Sequence, residues 1–360
     1  MQTNDSGYCY SFPAVRGIQA GRPFYIATCP LRIVPKIFSY NEDDVPPELR
    51  AQRTLNKTRI PEMVKYLLEN PKDYVFSALT ASVGTNISFD ESSESTPNVG
   101  TLKIPMDAQI LINDGQHRRK AIEEALKENP DLGQDNLPVL FFVDEGLQRS
   151  QQMFADLNKY AVKPSTSLGT LYDHRDETAE LARYLAMEVS PFIGFTEMEK
   201  SNVSPKSNKL FTLSAIKQAI KALFGKGLRD GFNDAERELA QKYWQEVTIN
   251  MPDWQMMINK KVAPAQLRVE YIHAHGVGLQ ALGLVGKQLL SEHPNDWETR
   301  LKQLQSLDWR KANPEWIKRT MNHGRVSKST QNITLTANAL KLHLGLSLTP
   351  DEKALEKEIQ

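Results

Sequence analysis

The hydrophobic pattern of this 360-residue chain changes period near Lys163-Pro164-Ser165, and no single layer of secondary structure suits both sides of that point. Before it, the apolar residues fall in short β-prone runs separated by helical stretches. Residues 22–38 read as one or two strands with prolines at their edges. Tyr74–Val83 and Leu137–Val143 read as buried strands, and Thr101–Pro105 with Ala108–Ile112 as a hairpin turning at Met106-Asp107. Helices are predicted from Arg59 to about Asn70, from Asp114 to Lys127 and from Gly146 to Tyr160; Pro61 suits a first turn, where its missing N–H has no partner to lose. Ser88–Val99 reads as a flexible acidic insertion. The predicted order is β-α-β-β-α-β-α. After the boundary a helical period dominates at 175–189, 212–224, 233–249, 264–290, 296–306 and 333–344. The expectation is an α+β protein, with a small mixed sheet and helices over 1–165 and a mostly helical domain over 166–360.

Composition narrows the function classes. The 44 basic and 44 acidic residues cancel, so global charge does not draw the chain to nucleic acid or to an anionic membrane; any such binding needs local segregation of charge. No apolar run reaches 18 residues, and the polar N-terminus lacks a signal core, so a cytoplasmic protein without a membrane partner is expected. Cys9 and Cys29 cannot staple a chain of this size, and no Cys/His spacing suits zinc; neither zinc nor haem is expected. A P-loop segment is also missing.

The most informative stretch is Ile110-Leu111-Ile112-Asn113-Asp114-Gly115-Gln116-His117-Arg118-Arg119-Lys120, a strand running through a tight turn into a helix. Asp114 is the expected N-cap. The first turn of a helix directs unpaired N–H groups and the positive end of the dipole outward, which favours phosphate. Gly115 permits close backbone approach, and Gln116, His117 and Arg118 add side-chain donors. Arginines at a helix start oppose the dipole unless an anion sits there. The alternative is that Asp114 only caps the helix while Arg118 and Arg119 pair with Glu123 or Glu124.

This motif resembles the signature of DGQHR-domain proteins. It is similar to the Gly-Glu-Arg-Arg turn of ParB partition proteins, which bind CTP, and to the Gly-Gly-Cys-His-Arg turn of sulfiredoxin, which binds ATP. The His-Arg pair of the latter falls on His117 and Arg118; its catalytic cysteine falls on Gln116, so thiol chemistry is not implied. Asn56-Lys57-Thr58-Arg59 stands where ParB proteins carry a phosphate contact, Leu137-Pro138-Val139 matches the following strand, and Phe154-Ala155-Asp156-Leu157-Asn158 resembles a Phe-x-x-Leu-Asn element of the same group. This ParB/sulfiredoxin-like resemblance covers roughly residues 50–165. The ordered set of DGQHR, then the segment 154–165, then Leu171–Asp176 resembles the DndB family of DNA sulfur modification proteins over most of the chain.

That resemblance implies a DNA-binding transcriptional repressor of a DNA phosphorothioation gene cluster. Its partners would be double-stranded promoter DNA and the other sulfur modification proteins, and it would form a homo-oligomer if its operator is palindromic. It implies a nucleoside triphosphate with Mg²⁺ at the turn: Asn56, Arg59, Gly115, Gln116, His117, Arg118 and Asn158 around the phosphates, Asp114 near the metal, and Asp114 and His117 as the catalytic pair if the nucleotide is hydrolysed. The alternatives are a DGQHR-type NTPase or DNA-nicking enzyme, and an assembly partner of the modification enzymes that does not touch DNA.

Two segregated basic blocks are the DNA-binding candidates. Lys200–Arg229 holds seven basic residues and no acidic one, and a helix capped by Thr212 would place Lys217 and Lys221 one turn apart, beside Lys206 and Lys209. Arg310–Lys328, with Arg319 and Arg325, opposes only Glu315. The competing reading is that both are solvated helix faces. Cys29 reads either as a small buried hydrophobe or as a reactive thiol at a DNA-facing edge near Arg22, Arg32 and Lys36. His273 and His275 lie two apart on an apparent helix and so make a poor metal pair. The tryptophans Trp244, Trp254, Trp309 and Trp316 read as packing residues.

Overall fold

A computed structural model describes residues 8–38, 59–85, 87–143, 152–153, 156–157, 164–225 and 231–359. The chain divides into two compact units, 1–162 and 163–360. The architecture is α+β, the class the sequence predicted. No described helix is long and apolar enough to cross a membrane.

The first unit is built on a seven-stranded sheet of order β4-β5-β1-β2-β7-β3-β6. Its strands are β1 (Cys9–Gln19), β2 (Arg22–Pro30), β3 (Leu79–Val83), β4 (Ser88–Glu91), β5 (Val99–Pro105), β6 (Ile110–Asp114) and β7 (Asn136–Val143). All pairings are antiparallel except β3 with β7. Helices α1 (Val34–Ile37), α2 (Arg59–Glu69) and α3 (Gln116–Glu128) accompany it. β1 and β2 form a hairpin whose two-residue turn, Ala20-Gly21, has both φ values positive (50° and 73°), the twist such hairpins favour. Pro13 is tolerated inside β1 because that part of the strand pairs with β5 alone. Every residue of β3 is buried, including the small hydroxyl residues Thr80 and Ser82.

Three expectations are corrected here. The N-terminal strand β1 lies outside the predicted strands. Residues 88–99 are not a flexible insertion throughout, because β4 pairs with β5. The predicted hairpin of 101–105 with 108–112 does not exist: β5 pairs with β1 and β4, through buried contacts such as Phe12 opposite Leu102, while β6 pairs with β3. Only residues 106–109 link β5 to β6, yet five strand spacings separate them in the sheet order. Laid flat, that separation is about 24 Å, and the linker reaches about 17 Å at full stretch. The sheet must therefore curl. The helix predicted at 146–160 lies largely outside the described residues.

The second unit is helical: α4 (Thr166–Tyr172), α5 (Glu177–Glu188), α6 (Leu213–Phe224), α7 (Asp234–Ile249), α8 (Pro252–Ile258), α9 (Pro264–Glu270), α10 (Gly276–Glu292), α11 (Trp297–Leu301), α12 (Thr330–His343) and α13 (Pro350–Lys357). Short strand pairs, β8 (Thr196–Glu197) with β9 (Phe211–Thr212) and β10 (Met321–Asn322) with β11 (Arg325–Val326), punctuate it. Side-chain caps set many of the helix starts. Thr212 accepts from the Ala215 amide, as predicted, Asp176 accepts from Ala179, and Asn233 and Glu236 form a capping box. The tryptophans Trp244, Trp254, Trp309 and Trp316 are buried in one continuous core. The helix predicted over 264–290 is two helices, broken at 271–275. His273 and His275 lie in that break, where His273 is fully buried between Trp254 Nε1 (3.0 Å) and Asp253 Oδ2 (3.1 Å).

Candidate functional site

Strand β6 delivers Asp114 to the sheet edge, opposite Thr80 and beside a register shift in β3. Gly115 then turns the chain with φ 103° and ψ 17°, and α3 begins at once. A Cβ on Gly115 would lie 2.2 Å from Leu79 Cδ2, so both the backbone angle and the space demand glycine. Next to it the buried Asn113 amide donates to Ser82 Oγ at 2.6 Å, which ties the end of β6 to β3.

The expected capping by Asp114 is not made. Gly115 occupies the N-cap position, no side chain caps α3, and the first turn holds no acidic residue. Asp114 instead pairs with Arg118 at 2.5 Å. The Arg118 guanidinium also donates to the carbonyls of Ser77 (2.9 Å) and Ala78 (3.0 Å) and to the Ser77 hydroxyl. It is thus a strut between the helix and the segment entering β3, and a phosphate would have to displace those acceptors. Arg119, buried, pairs with Glu123, as the alternative reading had it, and donates to Pro35 O at 2.9 Å.

The structure does bring Arg59 and His117 together. Burial, and then the charges of Arg59 and Arg118, hold the His117 imidazole below the ordinary histidine range, against an opposing pull from Asp114. The ring is therefore neutral at pH 7. Gln116 is partly buried and donates to Ile112 O at 3.2 Å. Asn56 and Asn158 lie outside the described residues. The residues present suit a phosphate through the helix start, Arg59 and His117. For Mg²⁺ they offer one carboxylate, Asp114, whose side chain is half exposed. Among the described residues no group of three or more potential ligands gathers for a metal. Sequence reasoning missed the Ser77 and Ala78 carbonyls, since main-chain acceptors leave no mark in residue types.

The DNA-binding candidates separate. Cys29 is corrected: it lies on the central strand β2, fully buried, and burial pushes its thiol up to about 12, so it is neither DNA-facing nor a thiolate. Lys217 is also spent, on buried Asp176 at 2.5 Å, so it does not track phosphates together with the partly buried Lys221. Arg319 is enclosed by Glu356 (2.5 Å) and Glu315 (3.2 Å). Lys209 donates to Gly194 O at 2.9 Å, whereas Lys206 and Arg325 are exposed, the latter on the β10–β11 hairpin. Lys226 and Arg229 lie outside the described residues.

Comparison with known proteins adds what geometry cannot. A family model described as DNA-sulfur modification-associated matches residues 12–347, nearly the whole chain. The protein belongs to that family, DndB, and so to the DNA sulfur modification system, where the family's part is commonly regulatory. No curated protein and no solved structure matches the chain.

Proposed function

We propose that this protein represses the genes of a DNA phosphorothioation cluster by binding double-stranded DNA at their promoter, and that a nucleoside triphosphate at the turn 114–118 alters that affinity. The observation that carries the nucleotide part is the start of α3. It opens on a left-handed glycine with neither an acidic residue nor a side-chain cap in its first turn, and Arg59 and His117 stand beside it. Membership of a DNA-sulfur modification-associated family supports the DNA part. The ParB/sulfiredoxin-like resemblance of the motif supports the same ligand class. Mg²⁺ would enter with the nucleotide, held by Asp114 and by phosphate oxygens, since this ion keeps much of its coordination outside the protein. Arg118 then acts from behind, by holding the turn in shape. Contact with the other sulfur modification proteins, and a homo-oligomer matched to a palindromic operator, belong to the same reading.

The test is fluorescence anisotropy of the full chain on its own promoter, with and without ATP, CTP or GTP. Binding should weaken with salt, with a log–log slope near −0.9 for each phosphate contacted. A nucleotide should shift the affinity, and Arg59→Ala or His117→Ala should abolish that shift. An unbound promoter at low salt, or a flat salt response, rules out the repressor reading. Mg²⁺-dependent nucleotide turnover or nicking of supercoiled plasmid would replace it with the enzyme reading.

A further inference from the structure

The helical unit contains a cavity of about 210 Å³ whose lining carries positive groups and no carboxylate. Its walls include Arg268, Lys328 and His275, with Leu210 and Phe211 on an apolar side. Lys311 stands immediately behind: its Nζ and His275 Nε2 both donate to Arg268 O, at 2.6 and 2.9 Å. Arg268 donates to the carbonyls of Ser204, Pro205, Ser207 and Lys209, and so holds the 204–209 loop, whose flanking residues Asn202, Val203 and Leu210 line one side. Those bonds engage its two terminal amino groups without cancelling its charge.

Among the described residues no carboxylate pairs with Arg268, Lys311 or Lys328. Elsewhere in the unit Lys217, Arg319 and Lys341 each hold an acid at 2.5 Å. Glu197, opposite Thr212 in the β8–β9 pair, is turned onto the amides of Glu199 and Lys200. The imbalance is felt locally. Burial lowers the proton affinity of both Arg268 and Lys311, with no acid opposing it, and the charges of Lys311 and Lys328 add to burial in holding His275 neutral.

The helices add to the same field. A Cβ at Gly276, the first residue of α10, would lie 3.3 Å from Ala215 Cβ in the first turn of α6, and one at Gly283 would lie 2.4 Å from the Ala219 carbonyl. The two helices therefore run side by side in the same direction, and both starts lie at the cavity wall. Neither has an acidic residue in its first turn. Two parallel dipoles with adjacent positive ends repel each other unless an anion sits between them.

We infer that this cavity binds a phosphate-sized oxyanion, the phosphate or thiophosphate group of a small ester or of a DNA backbone. The cations and helix starts take its charge, and the apolar wall, where Val203 and Ala215 are partly exposed, suits a softer, less hydrated sulfur better than oxygen. The inference uses none of the residues of the Gly115 turn, so either assignment can fail alone.

The experiment is calorimetric titration of the full chain with inorganic phosphate and with inorganic thiophosphate. Wild type should bind at least one of them saturably. Lys328→Gln, at an exposed position, should weaken binding by at least about fivefold, the usual scale for losing one charge-assisted contact. Ala215→Glu places a carboxylate on the wall at a helix position where acids are favoured, and should abolish binding while circular dichroism melting stays as in wild type. Should Ala215→Glu unfold the chain, Lys328→Gln decides. No saturable binding by wild type, or variants that bind as wild type does, overturns the inference. Thiophosphate binding tighter than phosphate supports it and assigns the apolar wall to sulfur. A matching loss of affinity for a short duplex in both variants supports it and marks the DNA backbone as the source of the group.

Discussion

The start of α3 and the start of α10 are alike in sequence terms: each follows or holds a glycine, each lacks a side-chain cap, and each has cations nearby and no acid in its first turn. They differ in what those cations touch. At Gly115 the two motif arginines are neutralised by the protein's own carboxylates, Asp114 and Glu123. At Gly276, Arg268 and Lys311 meet main-chain carbonyls, and among the described residues no carboxylate pairs with them. The dense arginine cluster is thus largely scaffolding, and the sparse one keeps unbalanced charge. How many basic residues crowd a stretch of sequence says less about anion binding than where their counter-ions come from.

The sharpest way to break this comparison is Gly115→Ala. A methyl forced against Leu79 at a φ of 103° should destabilise the first unit by about 3 kcal/mol or more, read by urea denaturation. A near-neutral result would mean that the turn relaxes and glycine is there for a ligand alone. Acid titration sharpens the other side. His275 titrates at about 4 when folded against 6.5 ordinarily, mainly from burial and then from Lys311. Between those values the unfolded chain takes up a proton that the folded chain refuses. Stability is full above pH 6.5 and falls as the pH drops toward 4, by on the order of 3 kcal/mol. His275→Gln should flatten that limb in a pH series of melts, and saturating phosphate should flatten it in wild type.

Arg118→Met should cost roughly 2 kcal/mol, because it leaves the Ser77 and Ala78 carbonyls and Asp114 without their donor, and Arg118→Lys should not restore it, since one ammonium cannot span them. A variant that loses nucleotide binding at unchanged stability would return Arg118 to the ligand. The smallest effect belongs to Cys29→Ser, about 1 kcal/mol from burying a hydroxyl, with promoter affinity of the folded protein unaltered and no thiol labelling of the native chain at this position.

Much of the fold was legible because it is written locally. The run at 137–143 is continuously apolar and became β7, the β-prone stretch at 79–83 became β3, and Thr212 and Asn233 announce helix starts through their own side chains. Misreadings arose where the deciding partner is remote. β1 ends in Ala20-Gly21, a weaker hairpin signal than Asn-Gly, and its alternating residues make sense only beside β5. β5 and β6 looked like a hairpin because they are neighbours in sequence, yet each buries more against another strand. The helix over 264–290 looked continuous because its apolar period survives the break, which exists so that His273 can reach Trp254 and Asp253. The same holds for the site. The turn at Gly115 was visible, but Lys217 with Asp176 and Arg319 with Glu356 are pairs between distant segments, and no scan of charge along the chain reveals them.

The contact between Gly283 and the Ala219 backbone has a kinetic consequence. Helices in such close register cannot slide past each other without opening the core, so the seat between their starts is preformed and does not assemble on arrival of a ligand. Association there should be a single step, its rate linear in ligand concentration and free of a slow phase. A response to an occupant would then fall on the non-helical walls, such as the segments on either side of the loop held by Arg268, rather than on the two helices.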